Sequence, residues 1–274
     1  MCTLISAATA KALKEVEGYV HVEFRRRQYE AMNGERIGLY HVSDFANACQ
    51  RNAYYQHIDR DPGYAFKDTT QNSILFAGEA IHQLLDKAAP EGEGETPLAW
   101  NHKTDSPVDI TDTEALRNYT LDDWSGIIIG EADALYNKNT NVGPTIIVDY
   151  KTWVSKPGSF YKKALDPVHK EQINIYRYLF AKVHAKDYKF GAVVYLDFTD
   201  RFAKPIIHSF ETDTMDNIER RLQAKQALFA QALFTGKMPP RTINWKCNGY
   251  CPYAEHCFSN DDVDVADARS RIAI

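Results

Sequence analysis

The chain has little cysteine, no long apolar run and no surplus of positive charge in its 274 residues. Its cysteines are odd in number, and no basic stretch precedes the apolar residues after Met1, so a secreted disulfide framework is not expected. No apolar stretch approaches the ~20 residues that span a bilayer. With 44% hydrophobic and 25% charged residues, the chain can bury one large core or a core with an appended lobe. These features predict a cytoplasmic protein without a membrane partner.

Two apolar stretches, 127–136 and 145–153, have the composition of β-strands. Residues 137–144 between them are rich in Asn, Gly and Pro, which favour turns. The pattern predicts that the two stretches pair as a hairpin.

Acidic residues lie in both predicted strands: Asp133 in the first, and Asp149 in the second, followed by Tyr150 and Lys151. Because side chains alternate along a strand, Asp149 and Lys151 point to one side of it and Tyr150 to the other. The hairpin would bring Asp133 close to Asp149, and a divalent cation readily neutralises two such like charges. Paired carboxylates with a lysine are suited to metal-dependent cleavage of phosphodiester bonds.

Two predicted helices carry further candidate residues. Helix 71–89 has apolar residues at helical spacing and contains His82 at the end of a G-x-x-x-H pattern. Helix 167–185 follows the hairpin and contains Gln172 and Tyr176, which share a face because they are four residues apart. The alternatives are a packing role for His82 and, for Gln172 and Tyr176, an ordinary amphipathic helix in which Tyr176 packs inward.

Three cysteines, Cys247, Cys251 and Cys257, are clustered with the spacing C-x3-C-x5-C. Three thiolates leave a tetrahedral site one ligand short, and Cys49 is the natural fourth ligand. A zinc ion held by four thiolates, or free thiols in a reducing cytosol, are the alternatives.

The acidic residue, the turn and the following Asp-Tyr-Lys together resemble the PD-(D/E)XK nuclease superfamily. The G-x-x-x-H and Q-x-x-x-Y patterns resemble motifs of its RecB-like branch. The resemblance implies catalytic roles for Asp133, Asp149, Lys151, Gln172 and Tyr176. It further implies that Mg²⁺ or Mn²⁺ is held by His82, Asp133, Asp149 and the backbone carbonyl of Tyr150. A histidine ligand would favour Mn²⁺ over Mg²⁺.

The arrangement of one cysteine before the predicted core and three after it resembles the iron–sulfur nucleases of the same branch. These include AddB-type helicase–nuclease subunits and small nucleases associated with CRISPR adaptation. The resemblance implies a [4Fe–4S] cluster that joins the two ends of the domain through Cys49, Cys247, Cys251 and Cys257.

The fold expected from this resemblance is α/β, with a PD-(D/E)XK nuclease core made of a small mixed sheet flanked by helices. A helical N-terminal part (1–70) precedes this core (71–240), and a cysteine loop with an acidic tail (241–274) follows it. The metal cluster joins the first and last parts.

The function expected is that of a metal-dependent deoxyribonuclease, acting as an exonuclease on single-stranded DNA in recombination, repair or end processing. The alternatives are an endonuclease or end-trimming nuclease of CRISPR adaptation, and a catalytically silent DNA-binding scaffold. Since the chain has no P-loop, unwinding would need a helicase partner.

Charge is unevenly distributed along the chain. Residues 91–123 hold nine acidic residues against two basic ones, and residues 259–274 hold four against two. Removing both segments from the net charge of −5 leaves +4 on the remainder, so a surface insertion and a tail carry the acidity. The candidates for phosphate contact are Arg25, Arg26, Arg27, Arg51, Lys162 and Lys163. The candidates for stacking on bases, with core packing as the alternative, are Tyr54, Tyr55, Trp153, Phe160 and Tyr161.

The remaining elements follow from periodicity and from end signals. Residues 90–125 are expected to form an irregular connection. A helix is expected to begin at a Ser43 N-cap and to carry Cys49. Proline at 205 predicts that the strand after it lies at a sheet edge or starts there. The predicted helices are 3–20, 43–58, 71–89, 167–185 and 213–235, and the further predicted strands are 189–198 and 205–211.

Overall fold

The structure is a computed structural model. It describes residues 41–47, 49–58, 69–89, 94–110, 112, 126–137, 145–153, 164–197, 205–242, 251, 253–254 and 257. The predicted helix 3–20 and Cys247 lie outside the described residues.

Helices and strands alternate along the described part of the chain. Its helices are α1 (Val42–Ala46), α2 (Gln50–Ile58), α3 (Thr69–Ala88), α4 (Pro167–His184) and α5 (Met215–Thr235). Its strands are β1 (Thr96–Asn101), β2 (Ser106–Pro107), β3 (Ile127–Ala132), β4 (Ala134–Asn137), β5 (Thr145–Trp153), β6 (Phe190–Asp197) and β7 (Ile206–Glu211).

The strands form two small sheets. One has the order β2-β1-β3 and is antiparallel throughout. The other has the order β4-β5-β6-β7, in which β5 and β6 are parallel and the outer pairs are antiparallel. The fold is therefore mixed α/β with helices flanking the sheets, and β7 lies at a sheet edge, as the proline before it predicted.

Helix α4 connects the two sheets. It contacts β1 and β3 of the first sheet and β5 and β6 of the second. All residues from 172 to 180 are buried, which is typical of a helix enclosed on every side. Asp166 caps its start by accepting the backbone N–H of Val168 at 2.9 Å, and Pro167 occupies the first turn. This central helix carries the predicted Gln172 and Tyr176.

The prediction of one continuous strand over 127–136 was wrong. The chain breaks at Asp133, so that β3 pairs with β1 and β4 pairs with β5. The hairpin is confirmed for β4 and β5 alone. Ile127, Ile128 and Ile129 are buried and belong to the first sheet, where β1 rather than β5 is their antiparallel partner.

The irregular connection expected over 90–125 was also wrong in part, because it contains β1 and β2. Leu98, Ala99 and Trp100 of β1 are buried. Their apolar run is short, and its pairing partner β3 lies some 30 residues away along the chain. A local pattern could not reveal that partner.

The single helix expected over 43–58 is divided into α1 and α2. It starts with His41 as the N-cap, not Ser43, and the Asp44 carboxylate accepts the His41 N–H at 2.9 Å. At the break, the Asn47 side chain accepts the Cys49 N–H at 3.0 Å, and this local bond competes with the helix. Cys49 therefore lies between the helices rather than within one.

The other elements agree with their predicted positions within two residues. Within α3, the apolar spacing predicts that Leu84 and Leu85 lie on one side of the helix, yet Leu84 is 66% exposed. Leu85 itself packs against the cluster formed by Ala134, Val148 and Tyr150. None of the helices in the described part of the chain combines the length and apolar character needed to cross a membrane.

Candidate active site

Asp133 lies where the chain passes from one sheet to the other. β3 ends at Ala132 and β4 begins at Ala134, so Asp133 stands between strands that pair with different partners. Its Oδ2 atom accepts the backbone N–H of Tyr150 at 2.6 Å. This bond holds the aspartate against β5, where the other predicted carboxylate lies.

Asp149 and Lys151 form an ion pair on β5. Asp149 is 1% exposed, and its Oδ1 atom lies 2.8 Å from Lys151 Nζ. Burial raises the pKa of the Asp149 carboxyl to about 6 despite the attraction of Lys151, and the charge of Asp133 contributes to the rise. Burial lowers the pKa of Lys151, but attraction to Asp149 and Asp133 outweighs it and raises this pKa overall. The lysine is therefore charged at neutral pH and offsets the neighbouring carboxylates.

The second oxygen of Asp149, Oδ2, is buried and has no hydrogen-bond partner within the described residues. A buried acceptor without a hydrogen-bond partner is unusual, and a bound ion can take the place of that partner. Carboxylates suit Mg²⁺ and Mn²⁺, and imidazole suits Mn²⁺, so Asp133, Asp149 and His82 have the right chemistry for such an ion. As they stand, no three or more His, Cys, Asp or Glu side chains of the described ranges are grouped as a metal site.

His82 reaches the site from α3. Its Nδ1 atom lies 3.5 Å from Asp133 Oδ1, and its ring meets Tyr150 edge-on at 6.1 Å between centroids. Burial lowers the pKa of His82, but the hydrogen bond and charge of Asp133 outweigh it and raise this pKa overall. One turn earlier, a Cβ on Gly78 would lie 2.7 Å from Thr152 Oγ1. The glycine thus permits the close approach of α3 to β5 that places His82 here.

Tyr176 of α4 lies close to the two predicted carboxylates, Asp133 and Asp149. A Cβ on Gly130 of β3 would lie 3.0 Å from its Cε1 atom, so the ring lies directly against that strand. Burial raises the pKa of Tyr176 well above its ordinary value, and the charges of Asp149 and Asp133 add to the effect. Gln172 is buried one turn earlier, and its Oε1 atom has no hydrogen-bond partner in the described part of the chain. The structure thus places Tyr176 close to Asp133 and Asp149, and Gln172 lies on the same face of α4 as Tyr176.

Glu95 is an acidic residue near this site that the sequence did not indicate. The register of β1 and β3 brings Glu95, which precedes β1, level with Asp133, which follows β3. Its backbone N–H donates to Asp86 Oδ1 at 2.8 Å. Burial raises the pKa of Glu95 to about 7, and repulsion from Glu131, Asp86 and Asp133 adds to the rise.

Glu95 was overlooked because it belongs to the acidic segment expected to be a surface insertion. The sequence held one signal that further acidic residues lie near the site, because Asp86 follows His82 by four residues and therefore shares its face of the helix. The hydrogen bond from Glu95 to Asp86 could not be read from that spacing.

The cysteines from opposite ends of the described chain lie in one region. The Cys251 Sγ atom lies 3.4 Å from Asn52 Oδ1 of α2, just after Cys49. Burial raises the pKa of the Cys257 thiol, Arg51 opposes this rise, and the nearby Cys49 contributes to it. Cys49, Cys251 and Cys257 form no disulfide bonds among the described residues, and Cys247 lies outside those residues.

Residues around these thiols hold the two parts of the chain together. Tyr55 of α2 stacks on Tyr253 with ring centroids 5.4 Å apart. Arg51 donates through Nε to the Pro239 carbonyl at 3.0 Å, and Arg241 donates to the Cys257 carbonyl at 3.2 Å. The segment after α5 is thus fixed against α2.

These contacts settle some predictions of nucleic-acid contacts. Arg51 donates through Nε to the Pro239 carbonyl, and its assignment to phosphate contact stays a prediction. Tyr54 and Tyr55 are 6% and 2% exposed, so they are core residues and not platforms for bases. Trp153 ends β5. The remaining candidates, Arg25, Arg26, Arg27, Phe160, Tyr161, Lys162 and Lys163, lie outside the described residues.

Comparisons with known proteins inform the fold alone. No family model matches the chain, and no curated protein matches it. Among solved structures, the crystal structure of SSO0001 is similar, with a TM-score of 0.50 and 20% sequence identity. The match covers 89% of this chain and 98% of that one. The likeness therefore extends over most of both chains as a mixed α/β fold.

Proposed function

We propose that the chain is a metal-dependent deoxyribonuclease with a RecB-like PD-(D/E)XK core. The observation that carries the proposal is the ion pair between buried Asp149 and partly exposed Lys151, beside Asp133 at the junction of the two sheets. Burying a carboxylate is costly even beside a charged partner, so such a pair is more readily explained by chemistry than by stability.

Mg²⁺ or Mn²⁺ would be held by Asp133, Asp149 and His82, together with the backbone carbonyl of Tyr150. The unpartnered Asp149 Oδ2 atom supports this assignment. When bound, such an ion lowers the pKa of a coordinated water and offsets charge on a phosphate.

The protein side chains then position the reacting groups. The ammonium group of Lys151, held by Asp149 at 2.8 Å, would orient the attacking water or stabilise charge that develops on the phosphate. Tyr176 and Gln172 would support this arrangement from α4, where Tyr176 lies against β3 near the carboxylates.

The substrate proposed is single-stranded DNA at free ends, and the setting is recombination, repair or end processing in the cytoplasm. An endonuclease or end-trimming nuclease of CRISPR adaptation would use the same residues on a different substrate. A helicase or an adaptation protein would be the partner.

We further propose that Cys49, Cys247, Cys251 and Cys257 hold a [4Fe–4S] cluster, with a structural Zn²⁺ as the alternative. Three of these residues lie in one region although about 200 residues separate the first from the others. Thiolates are suitable ligands for either metal group.

The decisive experiment is a digest of 5′- and 3′-labelled single strands, duplexes and closed circles with Mg²⁺, Mn²⁺ or EDTA. Asp149→Ala and Lys151→Ala should each reduce cleavage by about 10²-fold or more, because each removes a group that acts in the transition state. Glu211→Gln and Lys186→Ala are the matched controls, since both side chains are exposed and lie near the opposite end of β6.

Each outcome has a separate meaning. Cleavage near the wild-type rate in both site variants would reject the assignment of Asp149 and Lys151. Cleavage of closed circles would identify an endonuclease. DNA binding without cleavage under any metal condition would identify a silent scaffold.

A further inference from the structure

The segment 239–242, which follows α5, links Cys49 to Cys257. Thr242 donates its backbone N–H to the Cys49 Sγ atom at 3.4 Å. The preceding residue, Arg241, donates to the Cys257 carbonyl at 3.2 Å, and its side chain also forms a hydrogen bond with the Cys257 thiol. Two consecutive residues therefore contact cysteines that lie about 200 residues apart along the chain.

Arg51 approaches the same thiol from α2. Its side chain forms a hydrogen bond with the Cys257 thiol, and its positive charge acts on that sulfur. The same residue is anchored to the segment 239–242, because its Nε donates to the Pro239 carbonyl at 3.0 Å and its backbone N–H to the Pro240 carbonyl at 3.2 Å. A guanidinium group has several donors, so one arginine can serve a carbonyl and a sulfur together.

Two guanidinium groups thus meet at one cysteine. A neutral thiol is a weak acceptor, whereas a guanidinium group is always charged, so this arrangement suits a thiolate better than a thiol. Metal binding requires thiolates. Four thiolates carry four negative charges, and either Zn²⁺ or the +2 core of a [4Fe–4S] cluster removes two of them. Two negative charges remain, and Arg51 and Arg241 together carry two positive charges.

We propose that Arg51 and Arg241 are the charge partners of the proposed four-cysteine metal centre, and that they act on it through the Cys257 sulfur. The inference rests on the proposed centre, applies equally to iron–sulfur and to zinc, and does not depend on nuclease activity. Both arginines are positioning residues, since neither is a metal ligand. This role competes with the predicted phosphate contact of Arg51.

The consequence is retention of the metal. Groups that bond to a metal ligand from outside hold that ligand in place, and their removal lowers metal affinity by roughly 10–100-fold. A positive charge beside an iron–sulfur cluster also favours its reduced form, because reduction adds an electron, and hydrogen bonds to the sulfurs act in the same direction.

The first test is the rate of metal release. Protein purified anaerobically with its metal is mixed with an excess of a chelator that becomes coloured on binding iron or zinc. Arg51→Met and Arg241→Met should each speed release about tenfold. Arg51→Lys should recover most of the loss, because it restores the positive charge. Arg220→Met is the matched control and should change nothing, since Arg220 is exposed on α5 and bonds to Asn217.

Two further measurements on the metal-loaded protein identify the cause. If the centre contains iron, its reduction potential should become more negative in Arg51→Met and stay unchanged in Arg220→Met. A residue that only packs against α2 would not move this potential. The affinity for labelled single-stranded DNA, measured by fluorescence anisotropy, should be the same in Arg51→Met as in the wild type.

The outcomes separate the inference from the proposals on which it rests. Release at the wild-type rate in both Arg51→Met and Arg241→Met would overturn it and leave the metal centre standing. Equal acceleration in Arg51→Met and Arg51→Lys would replace the charge role by packing. Weaker DNA binding at an unchanged release rate would make Arg51 a phosphate contact. A wild-type protein that holds neither iron nor zinc would overturn the centre together with this inference, and the proposed nuclease site would be unaffected.

Discussion

At the scale of single residues, negative charge exceeds positive charge around the candidate site. Asp133 lies within electrostatic reach of both Asp149 and Glu95, and the positive charges nearby are those of Lys151 and His82. Burial, with the charge of Asp133 adding to it, raises the pKa of both Asp149 and Glu95, which means that their charged forms are disfavoured in the folded state. This arrangement therefore lowers the stability of the folded protein when no cation is bound.

Glu95→Gln should stabilise the metal-free protein at high pH. The pKa of Glu95 is about 7 in the folded protein, above its ordinary value of 4.5. Between these values the folded state binds more protons than the unfolded state, so stability falls as pH rises through that window. At pH 8 the variant should gain roughly 1 kcal/mol in the free energy of unfolding, a figure reduced for solvent screening of a partly exposed side chain. At pH 4 the gain should vanish.

Denaturant unfolding at both pH values measures this difference. Glu211→Gln, an exposed carboxylate of β7, should leave the pH dependence unchanged. If the stability of wild type and of Glu95→Gln changes with pH in the same way, the pKa of Glu95 is not raised in the folded protein.

At the scale of elements, four segments supply the candidate site, and close packing holds them together. α3 carries His82, the junction of β3 and β4 carries Asp133, β5 carries Asp149 and Lys151, and α4 carries Tyr176. Glycines stand at two of the contacts between them. Gly130 leaves room for Tyr176, and Gly78 leaves room for Thr152.

Gly78→Ala should impair the site without unfolding the protein. The added methyl group would lie 2.7 Å from Thr152 Oγ1, so α3 must shift away from β5 and carry His82 with it. Affinity for Mn²⁺ and the cleavage rate should each fall on the order of tenfold, as when support for a metal ligand is removed. Stability should change little, because alanine favours the helix by about 1 kcal/mol over glycine.

A second substitution tests the steric cause. Thr152→Ala removes the obstructing atoms, so Gly78→Ala combined with Thr152→Ala should recover most of the lost Mn²⁺ affinity. Titration of Mn²⁺ followed by thermal unfolding measures both variants. An equal loss in the single and double variants would mean that the contact does not position His82.

The elements also show what sequence could and could not predict. α4, α5, β6 and β7 have strong local periodicity and were located within two residues. The break at Asp133 was missed because the residues on both sides of it are equally apolar. β3 belongs to another sheet because it pairs with β1, which is distant in the sequence. The predicted carboxylates and the lysine lie together as expected, whereas Glu95 reaches them through strand register, which no local pattern encodes.

At the scale of the whole molecule, the region around α2 ties the beginning of the described chain to its end. Asn52 bonds to Cys251, Tyr55 stacks on Tyr253, and Arg51 binds the Pro239 carbonyl. Closing a loop of about 200 residues through noncovalent contacts costs chain entropy on folding, and these contacts must offset that cost. A metal cluster held by cysteines of both parts would instead limit the freedom of the unfolded chain and so stabilise the folded one.

The cysteine region should contain a cluster with about four irons per chain and broad absorption near 400 nm, as thiolate-ligated clusters have. Replacing Cys49, Cys247, Cys251 or Cys257 by Ser should bleach the anaerobically purified protein and lower its Tm. Cys2→Ser is the matched control and should change neither. A colourless protein with one zinc per chain would overturn the cluster and leave the proposed nuclease site standing.

Binding of single-stranded DNA should weaken with salt to a limited extent, because the net positive charge outside the two acidic segments is only +4. If about three phosphates are contacted, the logarithm of the binding constant should fall with the logarithm of salt concentration with a slope near −2. Fluorescence anisotropy with labelled oligonucleotides measures the slope, and strands with uncharged methylphosphonate linkages are the control. An affinity insensitive to salt would mean that DNA is not the ligand.

The stacking of Tyr55 on Tyr253 has a consequence for the order of events during translation. Ribosomes add about 5–20 residues per second, so Tyr55 is made on the order of 10–40 seconds before its partner exists. Throughout that interval the aromatic face of α2 has no Tyr253 to cover it. A nascent chain is therefore open to chaperones at this face, and a chain terminated before Tyr253 stays open to proteases there.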